Sequence, residues 1–360
     1  MDTAKGTQST GRIFLKELLE CPDVDAMANV TYYQRPLYEP GALGSVTASY
    51  RLHQKLAIHE QDIRTYLSKY SGDRKEPLWG FTPDWEQQKN MLTREFGWVL
   101  GTGGATWQYD MGGGWYSAPE FWNLFSQFHK IGKEQYKYPY KSDAQMAVVV
   151  DDISMIYPQD NDLLMYNAIS VQRTPLGWMG APYDVYLMSD ILRSDVPQYK
   201  CYFFLNCFRV DSQTRNDLHK LLKKAHATAI WLYAPGIVSD GTLSEDNVEK
   251  LTGFSVKRVD DLGSETEVVI RKEDHAIVQG MAGTSFGTPK AIGSKLPAFS
   301  GNTFYLPQKK EGITILGDIK TTGQPGFAIR SMEGWTSIYS SVLVMTPQLL
   351  RNILASAGGF

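Results

Sequence analysis

Four apolar runs constrain this chain more than any other feature: QMAVVVDD (residues 145–152), YDVYLM (183–188), YKCYFFLN (199–206) and TAIWLYA (228–234). A strand with one wet face alternates apolar and polar residues. A strand that is apolar at nearly every position needs cover on both faces, which is the setting of a parallel sheet between two helical layers. Helical stretches intervene at about 163–179 and 212–225, so the region from residue 145 onward reads as a doubly wound α/β domain. Beyond Thr252 the pieces EVVIRK, NTFYLP, ITILGDIK, GFAIRS and WTSIYSS follow in quick succession as strands, and PQLLRNILASAG reads as a last helix.

The first third has a different rhythm. RIFLKELLECP reads as an amphipathic helix, DVDAMANVTYY as a strand, and SYRLHQKLAIHEQDIRT as a strand whose apolar stretch about Leu56–Ile58 breaks into His59, Glu60, Asp62 and Arg64. A helix follows near Trp85–Gly97. GATWQYDMGGGWYSAPEFW then gives a strand with Asp110 at its end, a glycine turn and a helix running toward His129. The polar stretch KEQYKYPYKSD is the candidate linker, which divides the chain into residues 1–135 and 136–360.

Composition narrows the function. The 360 residues are 42% hydrophobic and 21% charged. That is an ordinary globular balance rather than the composition of a disordered or low-complexity chain. With 36 Lys and Arg against 39 Asp and Glu there is no basic excess to neutralise a phosphate backbone, so no nucleic-acid partner is expected. No run reaches the 18 or so apolar residues of a membrane helix, and the start MDTAKGTQSTGR lacks the apolar core of a signal peptide, so no membrane partner is expected; the compartment stays open between cytoplasmic and secreted. Cys21, Cys201 and Cys207 are too scattered for a disulfide framework or a zinc site and read as buried thiols. No metal and no cofactor is expected.

Three successive strand ends carry polar and aromatic groups: Tyr33 with Arg35, then His59, Glu60, Asp62 and Arg64, then Trp107, Asp110 and Trp115. A (β/α)8 barrel assembles its active site from the C-terminal ends of its strands. Carboxylates beside aromatic rings suit sugar chemistry, because one carboxyl group attacks or stabilises an oxocarbenium-like centre, a second protonates the leaving oxygen, and rings pack on the sugar's apolar face. The bland alternatives are a salt-bridged or solvated Glu60, a Trp107 that fills the barrel, and an Asp110 that caps the glycine turn.

The run KLAIHEQDIRT, preceded by Tyr32-x-x-Arg35-Pro36 and followed by REFGWVLGTGGATWQYDMGGGWYSAPEFW, resembles the C-terminal part of the catalytic barrel of family 42-type glycoside hydrolases, the β-galactosidases and their relatives. DVYLMSDILRSDVPQYKCYFFLNCFRVDSQTRNDLHKLLKK, LTGFSVK and GDIKTTGQPGFAIRSMEGWTSIYSSVLVMTPQLLRNILASAGG resemble that family's second domain, an amidotransferase-like α/β trimerisation module. The resemblance implies an incomplete C-terminal part of a (β/α)8 TIM barrel, strands six to eight, followed by a doubly wound flavodoxin- or amidotransferase-like domain. It implies retaining hydrolysis of β-galactoside-like bonds with Glu60 as nucleophile at the end of strand seven, and a carbohydrate substrate. Tyr33 and Arg35 at strand six, His59 beside the nucleophile, and Trp107, Asp110 and Trp115 at strand eight would line the sugar pocket. Asp62 and Arg64 read as an ion pair behind the site, and the expected role of His53 and His59 is a hydrogen bond to neighbouring groups. A homo-oligomer, a trimer, is the implied assembly.

The departure from the family is an absence. A complete barrel takes about 250 residues and eight strands, whereas roughly 120 residues and three strands precede the linker. The family's acid/base carboxylate, at the end of strand four, has no counterpart. The expectation is therefore a portion of a longer enzyme, inactive alone, beginning in the helix before strand six and stopping where the family continues into a β-domain. The alternative is a non-catalytic carbohydrate-binding or oligomerisation protein. A third reading, an amidotransferase-like hydrolase using Cys207, is weakened because LNCFR lacks the glycines of a nucleophile elbow and no His-x-Glu pair is near. GTGG and GGG read as turns rather than a dinucleotide fingerprint. The pair Asp151 and Asp152, at the edge where such sheets bind ligands, reads as solvated rather than metal-binding.

Overall fold

Each apolar run becomes a strand. In this computed structural model the described residues are 14–30, 37–41, 44–68, 82–157, 163–260, 266–271, 274–288, 294–296, 299–301 and 303–359. Two compact units are present: Leu19–Asp143, and Ala144–Phe360 together with the described part of Thr3–Leu18.

The first unit holds a three-stranded parallel sheet in the order β1 (Ala26–Val30), β2 (Leu56–Gln61), β3 (Ala105–Gln108). Among the described residues these strands do not close into a barrel. Helix α1 (Leu15–Glu20) precedes them, and α2 (Thr47–Leu52), α3 (Trp85–Gly101) and α4 (Pro119–Gln135) alternate with them. The Asp84 side chain accepts from the Gln87 N–H and starts α3, while Pro119 in the first turn of α4 costs no hydrogen bond. The two long helices bury Met91, Leu92, Phe121, Leu124 and Phe128 against Ile63, Trp115 and Tyr116.

The second unit holds β4 (Met146–Val150), β5 (Tyr183–Leu187), β6 (Cys201–Phe204) and β7 (Thr228–Leu232), then β8 (Val256–Asp260), β9 (Thr266–Ile270), β10 (Ser285–Thr288), β11 (Thr303–Pro307), β12 (Ile313–Ile319), β13 (Pro325–Met332) and β14 (Trp335–Ser340). Nine of these form one sheet in the order β10-β9-β12-β13-β14-β7-β6-β4-β5. The five strands β14-β7-β6-β4-β5 are parallel, and β13, β12, β9 and β10 extend the sheet antiparallel. Among the described residues β8 pairs with β11 alone. Every residue of β4, β6 and β7 is buried, as two-sided cover requires. The helical cover includes α5 (Arg173–Trp178), α6 (Ser212–Ala225), α7 (Glu245–Thr252) and α8 (Pro347–Ser356), whose three longer members begin at the accepting side chains of Asp211, Ser244 and Thr346.

One expectation is overturned here. Asp151 and Asp152 are buried rather than solvated, at 6% and 2% exposure. They follow β4 at the point where strand order reverses, and the chain itself fills their hydrogen-bonding capacity. Asp151 accepts from the Ser154 hydroxyl, its backbone pairs both ways with the Asn206 amide, and Asp152 accepts from the Leu15 N–H at 2.9 Å at the start of α1.

Candidate functional site

In a parallel ladder, residues in register share a face. β1, β2 and β3 align Val30 with Glu60 and Glu60 with Trp107, and on the opposite face Asn29 with His59 and His59 with Thr106. The Asn29 and His59 face is covered: Ala57, His59 and Gln61 are buried, and Asn29 donates to the Tyr50 hydroxyl of α2 at 2.9 Å. The Glu60 face is open. Ala26, Ala28, Leu56 and Trp107 on it are all exposed, Trp107 by 43%. Glu60 thus stands beside Trp107 at the C-terminal end of a parallel sheet, on the face that no described helix covers.

Two effects push the Glu60 carboxyl above the ordinary glutamate range: partial burial, and then the negative charge of Asp62. Asp62 pairs with Arg64, and both are buried. The Arg64 guanidinium lies 4.6 Å from the centroid of the Trp115 ring, within the range of a cation–π contact. Trp115 is 1% exposed and belongs to the core beneath the loops, so its ring contributes packing where the sequence placed a sugar contact. Asp110 accepts from the Trp115 N–H at 3.1 Å. That bond closes the turn in which Gly113 and Gly114 take positive φ.

His59 does not make the hydrogen bond expected of it. Its ring is fully buried, neither nitrogen has a hydrogen-bond partner among the described residues, and burial lowers its pKa to about 4. It packs so closely on Gly104 that a Cβ there would lie 3.0 Å from the ring. Tyr33 and Arg35 lie outside the described residues. Cys207 is buried, and its thiol lies 3.8 Å from the Met188 sulfur. Burial raises its pKa well above the ordinary thiol value, the opposite of what a nucleophilic thiolate needs. Among the described residues no cluster of His, Cys, Asp and Glu could hold a metal ion, and no helix is long and apolar enough to cross a membrane.

One feature escaped the sequence. A groove of about 670 Å³ runs along the free edge of β3 between α3 and α4, lined by Phe96, Phe125, Phe128, Trp107 and the tyrosines of the supposed linker, Tyr136, Tyr138 and Tyr140. Three tyrosines at alternate positions were the available signal. Arg51 holds Tyr140 by lying 4.1 Å over its ring.

No family model matches the chain, and no curated protein matches its sequence. Solved structures do. The β-galactosidase of Bacillus circulans sp. alkalophilus aligns over 93% of this chain and 53% of its own length, with a TM-score of 0.55 at 13% identity. The β-galactosidase of Rahnella sp. R3 aligns over 73% of this chain and 40% of its own, at 0.53 and 14%. A GH42 β-galactosidase from G. stearothermophilus, solved as a catalytic mutant, aligns over 95% and 50%, at 0.53 and 12%. The chain thus spans about half the length of these enzymes or less, and shares with them a glycoside hydrolase-like mixed α/β fold.

Proposed function

We propose that this chain is part of a retaining glycoside hydrolase acting on β-galactoside-like bonds, with Glu60 as its nucleophile. The observation that carries the reading is the placement of Glu60 and Trp107 side by side at the C-terminal end of a parallel sheet, on its uncovered face. In this reading β1, β2 and β3 are strands six to eight of a (β/α)8 barrel whose interior is the open face, and the second unit is an amidotransferase-like assembly module that favours a homotrimer.

The chemistry follows from the carboxylate. A Glu60 oxygen attacks the anomeric carbon, the bond to the leaving oxygen breaks with its electron pair, and water later releases the sugar from the glycosyl ester. Trp107 offers a ring for the sugar's apolar face. Asp110 borders the pocket, Tyr33 and Arg35 keep the sugar-contacting roles that the family resemblance implies, and His59 supports the pocket from behind the sheet. In this reading none of the residues named takes the part of the proton donor to the leaving oxygen, so unactivated galactosides are expected to turn over poorly.

A substrate that needs no proton donor separates the nucleophile from that missing partner. A 2-deoxy-2-fluoro-β-galactoside with a dinitrophenolate leaving group departs unprotonated and leaves its sugar on the attacking carboxylate. Intact-mass and peptide mass spectrometry are expected to find one adduct, on Glu60, and none in Glu60→Gln. An unlabelled chain, or an adduct on another residue, overturns the assignment; galactoside binding without an adduct establishes the non-catalytic carbohydrate-binding alternative instead.

A further inference from the structure

The segment after Glu60 is held with more care than a surface loop needs. Gln61 ends β2, and its carbonyl accepts from the backbone N–H groups of Ile63 and Tyr109 at 3.0 and 3.2 Å. The Tyr116 hydroxyl donates to the Ile63 carbonyl at 3.1 Å, and the Thr65 hydroxyl donates to the Trp115 carbonyl at 2.5 Å. Asp110, just past β3, accepts from the Trp115 N–H. The end of β2 and the turn after β3 are therefore one hydrogen-bonded body, with the buried Trp115 ring at its centre. Arg64 lies on that ring and pairs with Asp62, and Asp62 is the charged group that acts on Glu60.

A buried ion pair is a costly way to stabilise a loop. Two charges must leave water, and apolar residues of similar volume often do as well. What apolar residues cannot supply is a fixed charge at a fixed place. We propose that the Asp62–Arg64 pair seated on Trp115 is a positioning element for Glu60: it locks the end of the Glu60 strand to the turn after β3 and holds a set charge beside the Glu60 carboxyl. Asp62 makes the carboxylate harder to form and more basic once formed, and Arg64 limits how far that goes. Among the described residues, the other groups flanking Glu60 leave this role to the pair. The flanking residues of β1 (Ala26–Val30) and β3 (Ala105–Gln108) carry no charge, and Asp110 is engaged in the turn.

This inference rests on reading Glu60 as the reacting carboxylate, but its readout is the titration of Glu60 rather than turnover. The Glu60 signal of the full chain, labelled with ¹³C at glutamate and assigned by its loss in Glu60→Gln, is followed with pH. Asp62→Asn keeps the shape and removes the negative charge; the Glu60 midpoint is expected to fall by about half a unit or more. Arg64→Gln removes the cation of the pair and keeps Asp62; the midpoint is expected to rise by a similar amount, and Arg64→Lys to restore it. A loop that only packs would move the midpoint in one direction for every variant, or in none. Should Arg64→Gln fail to fold, the fall in Asp62→Asn and the wild-type-like midpoint of Arg64→Lys still decide. An unmoved midpoint in Asp62→Asn, or shifts of one sign throughout, overturns the proposal. Opposite shifts without a trapped sugar would remove the glycosidase reading alone, and a trapped sugar with an unmoved midpoint would remove the positioning role alone.

Discussion

In the large sheet, β4 and β7 are buried at every position, and Phe204 stacks on Trp231 with ring centroids 4.2 Å apart. In the small sheet, β2 alternates, with Ala57, His59 and Gln61 buried and Leu56, Ile58 and Glu60 partly or largely open. Both sheets are parallel over these strands, so the difference lies in cover. The large sheet has spent both faces of its central strands on a core, while among the described residues the small sheet keeps one face uncovered, and its one strand-borne carboxylate is on that face. In a chain of this kind the incompletely buried region is where chemistry has room.

Core truncation is the largest expected effect. Ile230 in β7 is 0% exposed. Its replacement in Ile230→Ala is expected to cost about 2–5 kcal/mol in urea unfolding. Leu56, on the open face, is 37% exposed. Leu56→Ala is expected to cost only about 0.5 kcal/mol, the scale of a surface substitution. Similar costs at the two positions would mean that the small sheet's open face is covered after all, and the contrast would fail.

Acid is expected to push the two units in opposite directions. His59 has a folded pKa near 4 against an ordinary 6.5, so the unfolded chain binds its proton first. Its contribution to stability is present above pH 6.5 and is lost as pH falls toward 4, by about 3 kcal/mol. Asp151 is raised from 3.8 to about 7, chiefly by burial, so the folded chain binds its proton first. Its unit therefore gains stability as pH falls from about 7 toward 3.8. Native-state hydrogen exchange at pH 7 and pH 5 reads the units separately. Amides of β2 are expected to lose protection to global opening and those of β4 to gain it, with His59→Gln and Asp151→Asn flattening the respective trends. Trends of one sign, or trends untouched by these substitutions, would refute the assignment.

Much of this was legible in the sequence, and the gaps have physical causes. The runs of the large sheet announced themselves because full burial admits only apolar side chains, so AVVV in β4 and CYFF in β6 had one reading. Helix α6 was legible to its ends, 212–225 in the sequence as in the structure, where the Asp211 side chain caps its start and a left-handed His226 stops it. The site was half legible. The sequence reading lined one pocket with both Glu60 and His59, whereas neighbouring strand residues face opposite ways, and which face is open depends on helices whose docking no local pattern records. Trp107 and Trp115 were indistinguishable as letters; burial under Arg64 separates them. Asp151 and Asp152 misled because a pair of acids at a strand end looks wet, and only the fold shows Ser154, Asn206 and the distant Leu15 N–H meeting them.

Trp107 gives as small an expected effect on stability as Leu56 and the sharpest test of the open face. Its ring is 43% exposed and touches Tyr109 edge-on at 5.6 Å, so truncation leaves no sealed cavity. Trp107→Ala is expected to shift unfolding by about 0.5 kcal/mol. A galactoside bound beside Glu60 would lose its stacking partner, so binding followed by calorimetry is expected to weaken by about fivefold, the equivalent of one aromatic contact of roughly 1 kcal/mol. Trp115, buried under Arg64, serves as the control, because its loss opens a cavity and is expected to unfold the unit rather than change ligand affinity alone. Unchanged affinity in Trp107→Ala would place the sugar elsewhere and leave Glu60 without its platform.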